Sequence, residues 1–249
     1  MITKIELDKL VEKYETIEFF YDDPIGIPNR FKNKKDKEIA GFIASLVAYG
    51  RREIFIKKLN QLFCIAQNEP YNFIMNFEPK ILDDFNYRFG KPKDFAQIFE
   101  ILKTLYKNDD GLEELYKYGY ENKIENNMFI PVTDYFYSRA KDKNALGFKF
   151  MIPDARKGSA MKRMCMYLRW MIRKGPVDFG IWDFMPPSEL LIPLDTHVAR
   201  ISREMGLLRR NANDFKAVLE LTENLKQFDP EDPVKYDFAI FGLGVNNKL

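Results

Sequence analysis

Apolar residues recur along this chain at spacings of three and four far more than at two, so the pattern predicts helix almost throughout. A first amphipathic helix is expected over residues 3–20, with Thr3 as cap and Glu6 completing a capping box. Tyr21 to Arg30 (YDDPIGIPNR) holds two prolines and a glycine and reads as a loop. Lys34 to Glu38 is a charged start to a helix. The following stretch, Ile39 to Tyr49 (IAGFIASLVAY), is apolar on every side, as a central buried helix must be. Gly50 ends it, and Arg51 and Arg52 follow. A further helix is expected from about Ile54 to Ala66, with Phe55, Leu59, Leu62 and Phe63 inward.

Residues 70–93 contain Pro70, Pro79, Gly90 and Pro92 and read as short helices and turns. Asp94 is expected to cap a helix carrying Phe95, Ile98, Leu102 and Leu105 in register. Shorter helices are expected over 111–121 and 131–141. Pro153 to Gly158 reads as a turn, Ser159 to Lys174 as a helix and 175–193 as a loop. Then comes Pro193 to Met205 (PLDTHVARISREM). Asp195 stands at a helix N-cap, where a carboxylate accepts hydrogen bonds from the first turn. Val198, Ile201 and Met205 form the apolar stripe and Gly206 stops the helix. Asn213 is expected to cap a helix over about 214–227, ended by Asp229-Pro230. Asp232 with Pro233 starts a last helix that runs to Phe241.

At 249 residues, one large domain or two interleaved lobes are expected, and 46% hydrophobic residues suffice for a real core. The net charge of +2 excludes a global basic field, so a polyanion must be met by a local patch. Cys64 and Cys165 cannot build a disulfide framework or a four-thiolate cluster, and read as buried small hydrophobes in a reducing compartment. The N-terminus is amphipathic and carries acids, unlike a signal peptide, and no stretch has membrane-spanning length. A soluble, cytoplasmic protein with no membrane partner is the expectation. One histidine, His197, cannot supply a metal cluster, and no phosphate-binding glycine loop is present.

Chemistry concentrates in two places. From Arg156 to Lys174 (RKGSAMKRMCMYLRWMIRK) there are seven basic residues and no acid. On a helix, Met161, Cys165, Leu168 and Ile172 share one stripe, and Lys162, Arg169 and Arg173 the next. Such a line of cations suits phosphates, the more so beside free N–H groups near Gly158. The bland alternative is a solvated face with structural ion pairs. The second place is Asp195, which its capping position alone explains fully.

Gly158, with Lys162 four residues on, a helix, and then Leu194-Asp195-Thr196-His197-Val198 resembles the helix-hairpin-helix base-excision DNA glycosylases of the endonuclease III superfamily. Over most of its length the chain is also similar to the uncharacterised DUF2400 family. That likeness rests on Ala44 to Arg51 (ASLVAYGR), Gly158 to Arg169, Ile192 to Val198 and Asp232 to Gly244 (DPVKYDFAIFGLG). It brings no established activity. The glycosylase resemblance implies an all-α, two-lobed fold with a cleft between lobes. Residues 36–175 would form a central lobe with a modified helix-hairpin-helix, and 1–35 plus 176–249 the second. Lys162 falls on the catalytic lysine and Asp195 on the catalytic aspartate. The partner implied is damaged double-stranded DNA. Gly158, Arg163, Arg169, Arg173, His197, Arg51 and Arg52 would meet its backbone.

In that chemistry a lysine amine attacks C1′ of a deoxyribose, and the Schiff base formed allows elimination of the 3′ phosphate. Neighbouring arginines would favour a neutral amine. An opposed carboxylate stabilises the developing charge or helps to deprotonate the amine. Trp170, Trp182, Tyr49 and Phe179 are candidates to stack on a flipped base. Ala160 replaces the second hairpin glycine, and the longer interval to Asp195 implies an inserted loop over 174–193. No cysteines match iron–sulfur ligands, so neither a cluster nor any other cofactor is expected. Asp237 and Lys235 read as exposed residues of the last helix. Two rivals stand beside the enzyme: a nucleic-acid-binding protein without the lyase chemistry, and an inherited scaffold with an unrelated partner.

Overall fold

A capping box opens the chain's first helix. Thr3 Oγ1 accepts from the Glu6 N–H at 3.3 Å, and Glu6 Oε2 accepts from the Thr3 N–H at 2.8 Å. The computed structural model describes residues 2–18, 23–108 and 111–246, without the side chains of 245 and 246. Helix α1 runs Lys4–Tyr14 and gives way to turns over 15–18; the rest of the expected 3–20 helix lies outside the described residues. Among those residues the structure is all helical, with isolated β-bridges and no strand.

The chain divides into two compact units, residues 22–157 and residues 1–21 with 158–249. The expected lobes divided instead at 35/36 and 175/176. Residues 158–175 therefore belong with the terminal segments.

Within 22–157, α2 (Lys34–Val47) is capped by Asn33 and buried continuously from Glu38 to Val47. Its lack of a polar face is what makes it the unit's central helix. Helix α3 (Arg52–Ile65) turns Phe55, Leu59, Leu62 and Phe63 inward, while Cys64 lies on its solvent side. The expectation that both cysteines are buried therefore holds for Cys165 alone. Helices α4 (Pro70–Met75), α5 (Pro92–Asn108), α6 (Leu112–Glu121), α7 (Phe129–Arg139) and α8 (Leu146–Met151) complete the unit. Asp94 is not the cap of α5. The helix starts at Pro92, whose ring is pre-set for a first turn. Asp94 reaches back to the Lys91 N–H at 2.9 Å.

The other unit contains α1, α9 (Lys162–Ile172), α10 (Thr196–Glu204), α11 (Phe215–Lys226) and α12 (Tyr236–Asn246). Leu7, Leu194, Val198, Ile201, Val218, Leu221, Tyr236 and Ile240 form its core. Helix α9 starts three residues later than the pattern predicts. Met161 takes a left-handed conformation, and Ser159 pairs with Asp214 in a β-bridge, so the chain is extended there. The cap of α11 is Asp214, which accepts from the Ala217 N–H at 3.1 Å. Asn213 is already taken: its Oδ1 accepts from Arg203 at 2.6 Å. Pro233–Lys235 forms a single 3-10 turn before α12.

Candidate functional site

The N-termini of α9 and α10 meet within the unit formed by the chain's ends. Lys162 is the first residue of α9 and Asp195 the N-cap of α10. The Lys162 Nζ lies 3.1 Å from Asp195 Oδ2. Asp195 Oδ1 accepts from the backbone N–H groups of His197 at 2.9 Å and Val198 at 2.8 Å. The capping geometry thus aims the second oxygen at the amine. The two side chains keep 31% and 19% of their surface open, so the pair is reachable from solvent. Burial works to raise the Asp195 pKa, but the Lys162 charge and the Val198 N–H outweigh it and hold the group below the ordinary carboxylate value.

The other nominated residues scatter. Gly158 is left-handed at φ +71°, a conformation suited to glycine, and its carbonyl accepts from the Phe215 N–H at 2.9 Å. Arg163 is half-buried in the first turn of α9, and His197 is exposed on α10. Arg51 and Arg52 belong to the 22–157 unit. Arg51 is 77% exposed beside Glu53, and Arg52 opens α3. Of the stacking candidates, Trp170 and Trp182 are core residues. Tyr49 is half-buried against Tyr87 and Phe150. Phe179 is half-buried, with its N–H held by the Trp170 carbonyl at 2.8 Å.

Arg169 and Arg173 overturn the expectation of a cationic stripe. They are 3% and 4% exposed and are enclosed by acids, so neither guanidinium is presented to a phosphate. Arg169 donates to Asp178 Oδ1 at 3.2 Å and to Asp237 Oδ2. Arg173 donates to Asp178 Oδ2 at 3.0 Å, to Asp232 Oδ2 at 2.8 Å, and to Glu15 through both terminal nitrogens. Burial works to lower the Arg173 pKa, but Glu15, Asp178 and Asp232 hold it above the usual value. Arg169 and Arg173 are therefore neutralised by other acids, and the charge in contact with the Lys162 amine is a carboxylate.

The 174–193 segment is a built part of this arrangement. It is pinned to the end of α9 by the Lys174–Phe179 bridge and by the Trp182 N–H on the Met171 carbonyl at 2.9 Å, and it delivers Asp178. Asp237 is not the exposed residue it resembles in the sequence. It is buried on α12, and burial pushes its carboxyl up to about 7. Its one-turn neighbour Ile240 is a core residue, but Asp-Phe-Ala-Ile carries no local mark of which face is inward. The Arg169–Asp237 pairing joins residues far apart in sequence.

Fold and site define an all-helical protein in which two helix N-termini hold a lysine and an aspartate in contact. Residues 23–246 match the family described as protein of unknown function (DUF2400), and the chain belongs to that family. No curated protein and no solved structure matches it. Among the described residues no helix is long and apolar enough to cross a membrane.

Proposed function

We propose that this protein is a DNA base-excision glycosylase with an AP-lyase step, acting on a damaged base in duplex DNA. Lys162 is the nucleophile and Asp195 its carboxylate partner. The 3.1 Å approach of these two side chains, both implied by the glycosylase resemblance, is the observation that carries the reading. In the reaction the lysine nitrogen uses its lone pair to bond to C1′. The glycosidic bond breaks and the base leaves with that bond's electrons. Before attack, Asp195 accepts the ammonium's proton and hands it to the departing base; as a carboxylate again it faces the positive charge on the sugar. Exposed His197 and Arg51, together with Gly158, Arg163 and Arg52, remain the proposed backbone contacts, while Arg169 and Arg173 are withdrawn from that role. The helix-hairpin-helix glycosylase fold is part of the proposal.

Borohydride reduction during incubation with a panel of damaged duplexes tests this. The expected result is a covalent protein–DNA adduct in the wild type that Lys162→Gln abolishes. A panel without any Lys162-dependent adduct overturns it.

One observation favours a second reading, a binding protein without lyase chemistry. Both Asp195 oxygens are already used, one by the cap and one by Lys162, as in a purely structural ion pair. That reading expects DNA binding that weakens with salt and is unchanged by Asp195→Asn.

A further inference from the structure

We propose that the surface where α2 turns into α3 is a binding site for single-stranded nucleic acid, with Phe89 as the platform for an unpaired base and Arg51 and Arg88 as its phosphate contacts. The site lies within the 22–157 unit and does not depend on the chemistry of Lys162. Arg51 alone is shared with the backbone contacts proposed above.

The site is built on the Ala44 to Arg51 stretch. Helix α2 ends at Val47, and beyond it Tyr49 and Tyr87 clasp each other. The Tyr49 hydroxyl donates to the Tyr87 carbonyl at 3.1 Å, and the Tyr87 hydroxyl to the Tyr49 carbonyl. Tyr87 also exchanges both N–H···O bonds with Gly90, each at 2.9 Å, which leaves Arg88 and Phe89 at the tip of a tight turn. Both are exposed, Phe89 by 42%. The rings run in file from the clasp to the tip. Tyr49 lies 4.8 Å from Tyr87 and 4.6 Å from Phe150 of α8, and Phe150 lies 4.8 Å from Phe89. Phe89 is therefore backed by packed aromatics, and its open side is a fixed apolar plane.

Arg88 is held beside that plane against its own backbone preference. Its φ is +51°, a left-handed conformation that glycine takes more easily. Its guanidinium carbon lies 5.9 Å from the Tyr49 ring centre, and a Cβ on Gly50 would run into its Nη1. Arg51 follows Gly50 directly and is 77% exposed. It meets Glu53 at 3.8 Å with both side chains in solvent, a weak pair that a phosphate can replace. Unlike Arg169 and Arg173, these arginines are open to a ligand. Each residue of a single strand presents a planar base and an anion, which a ring flanked by guanidiniums matches. An acidic peptide offers the anion without the plane. A lipid surface would draw Arg88 toward hydrocarbon along with Phe89, where a guanidinium is costly. In a duplex the bases stack on one another, so Phe89 meets no open base face.

Fluorescence anisotropy of the full chain with a labelled oligothymidylate of about 12 nucleotides, and with an abasic strand of equal length, tests this. Phe89→Ala is expected to weaken oligothymidylate binding about tenfold and to affect the abasic strand far less, the mark of a lost stacking contact. Arg51→Gln is expected to weaken both. Arg88→Gly should also weaken both, without lowering Tm, because glycine suits that backbone. If Phe89→Ala does not fold, Phe89→Trp keeps the ring, and the added indole should be quenched as the oligothymidylate binds. No oligothymidylate binding, equal losses on the two strands, or Phe89-dependent attachment to phosphatidylserine vesicles in its place overturns the proposal. The Lys162 adduct is a separate readout. An adduct without this binding removes the site and keeps the nucleophile; this binding without an adduct does the reverse.

Discussion

Asp195 does two jobs with one carboxylate, closing a helix end and holding an amine, and substitutions separate them. Asparagine keeps the cap and loses the charge; alanine loses both. Urea unfolding at pH 7 is expected to show Asp195→Ala destabilised by about 1–2 kcal/mol, the range for a lost cap, and Asp195→Asn by less. Because its pKa is lowered in the fold, the Asp195 contribution is present above the ordinary carboxylate value and is lost as pH falls through the lowered one. Asp237 has the opposite sign. Its carboxyl is raised from 3.8 to about 7, so the fold favours its protonated form. Its contribution is fully present below about pH 4 and is lost as pH rises to about 7. The stability of the wild type relative to Asp237→Asn is therefore expected to fall across that window, by on the order of 4 kcal/mol if the whole shift is expressed. Parallel unfolding curves at pH 4.5 and 7.5 check this, and a constant difference contradicts it. The two aspartates were unequally legible. Asp195 sits directly before its helix, where local pattern suffices. Arg169 and Arg173 read as a bare stripe because three of the four acids that answer them are distant in sequence, Glu15 being 158 residues from Arg173.

Among the elements, α12 shows how packing decides what pattern leaves open. It is apolar nearly all round and lies against both α1 and α10. Gly242 lets the Tyr14 ring of α1 lie directly on its backbone, and a Cβ there would run into the ring. Gly242→Ala is expected to cost about 1–3 kcal/mol through overpacking, read as a lowered Tm, with Tyr14→Ala relieving part of the loss in the double variant. Additive losses would show that the contact is not what the glycine serves. Helix existence was legible from period except at the six-residue α8, for which no helix was expected, whereas helix starts were decided by competition. Asn213 lost the cap of α11 to Asp214 because Arg203 holds its oxygen, and residues 159–161 left α9 because Ser159 pairs with Asp214. Neither competitor is visible in a local window of sequence.

At the scale of the whole chain, periodicity indicated a helical protein, and composition a real core without a global basic field. What it obscured is where the charge goes. Two of the seven basic residues of 156–174, Arg169 and Arg173, are consumed by buried acids, so the stripe offers a nucleic acid fewer cations than its sequence carries. A shallow dependence of DNA affinity on salt follows. The family match, over residues 23–246, covers both units but not α1, the helix that precedes Glu15 and its contact with Arg173. The central claim remains the amine held against a carboxylate at two helix mouths. Peptide mapping by mass spectrometry of a borohydride-fixed DNA adduct interrogates it most directly. The account predicts that the deoxyribose remnant sits on Lys162; a remnant on any other lysine would contradict it.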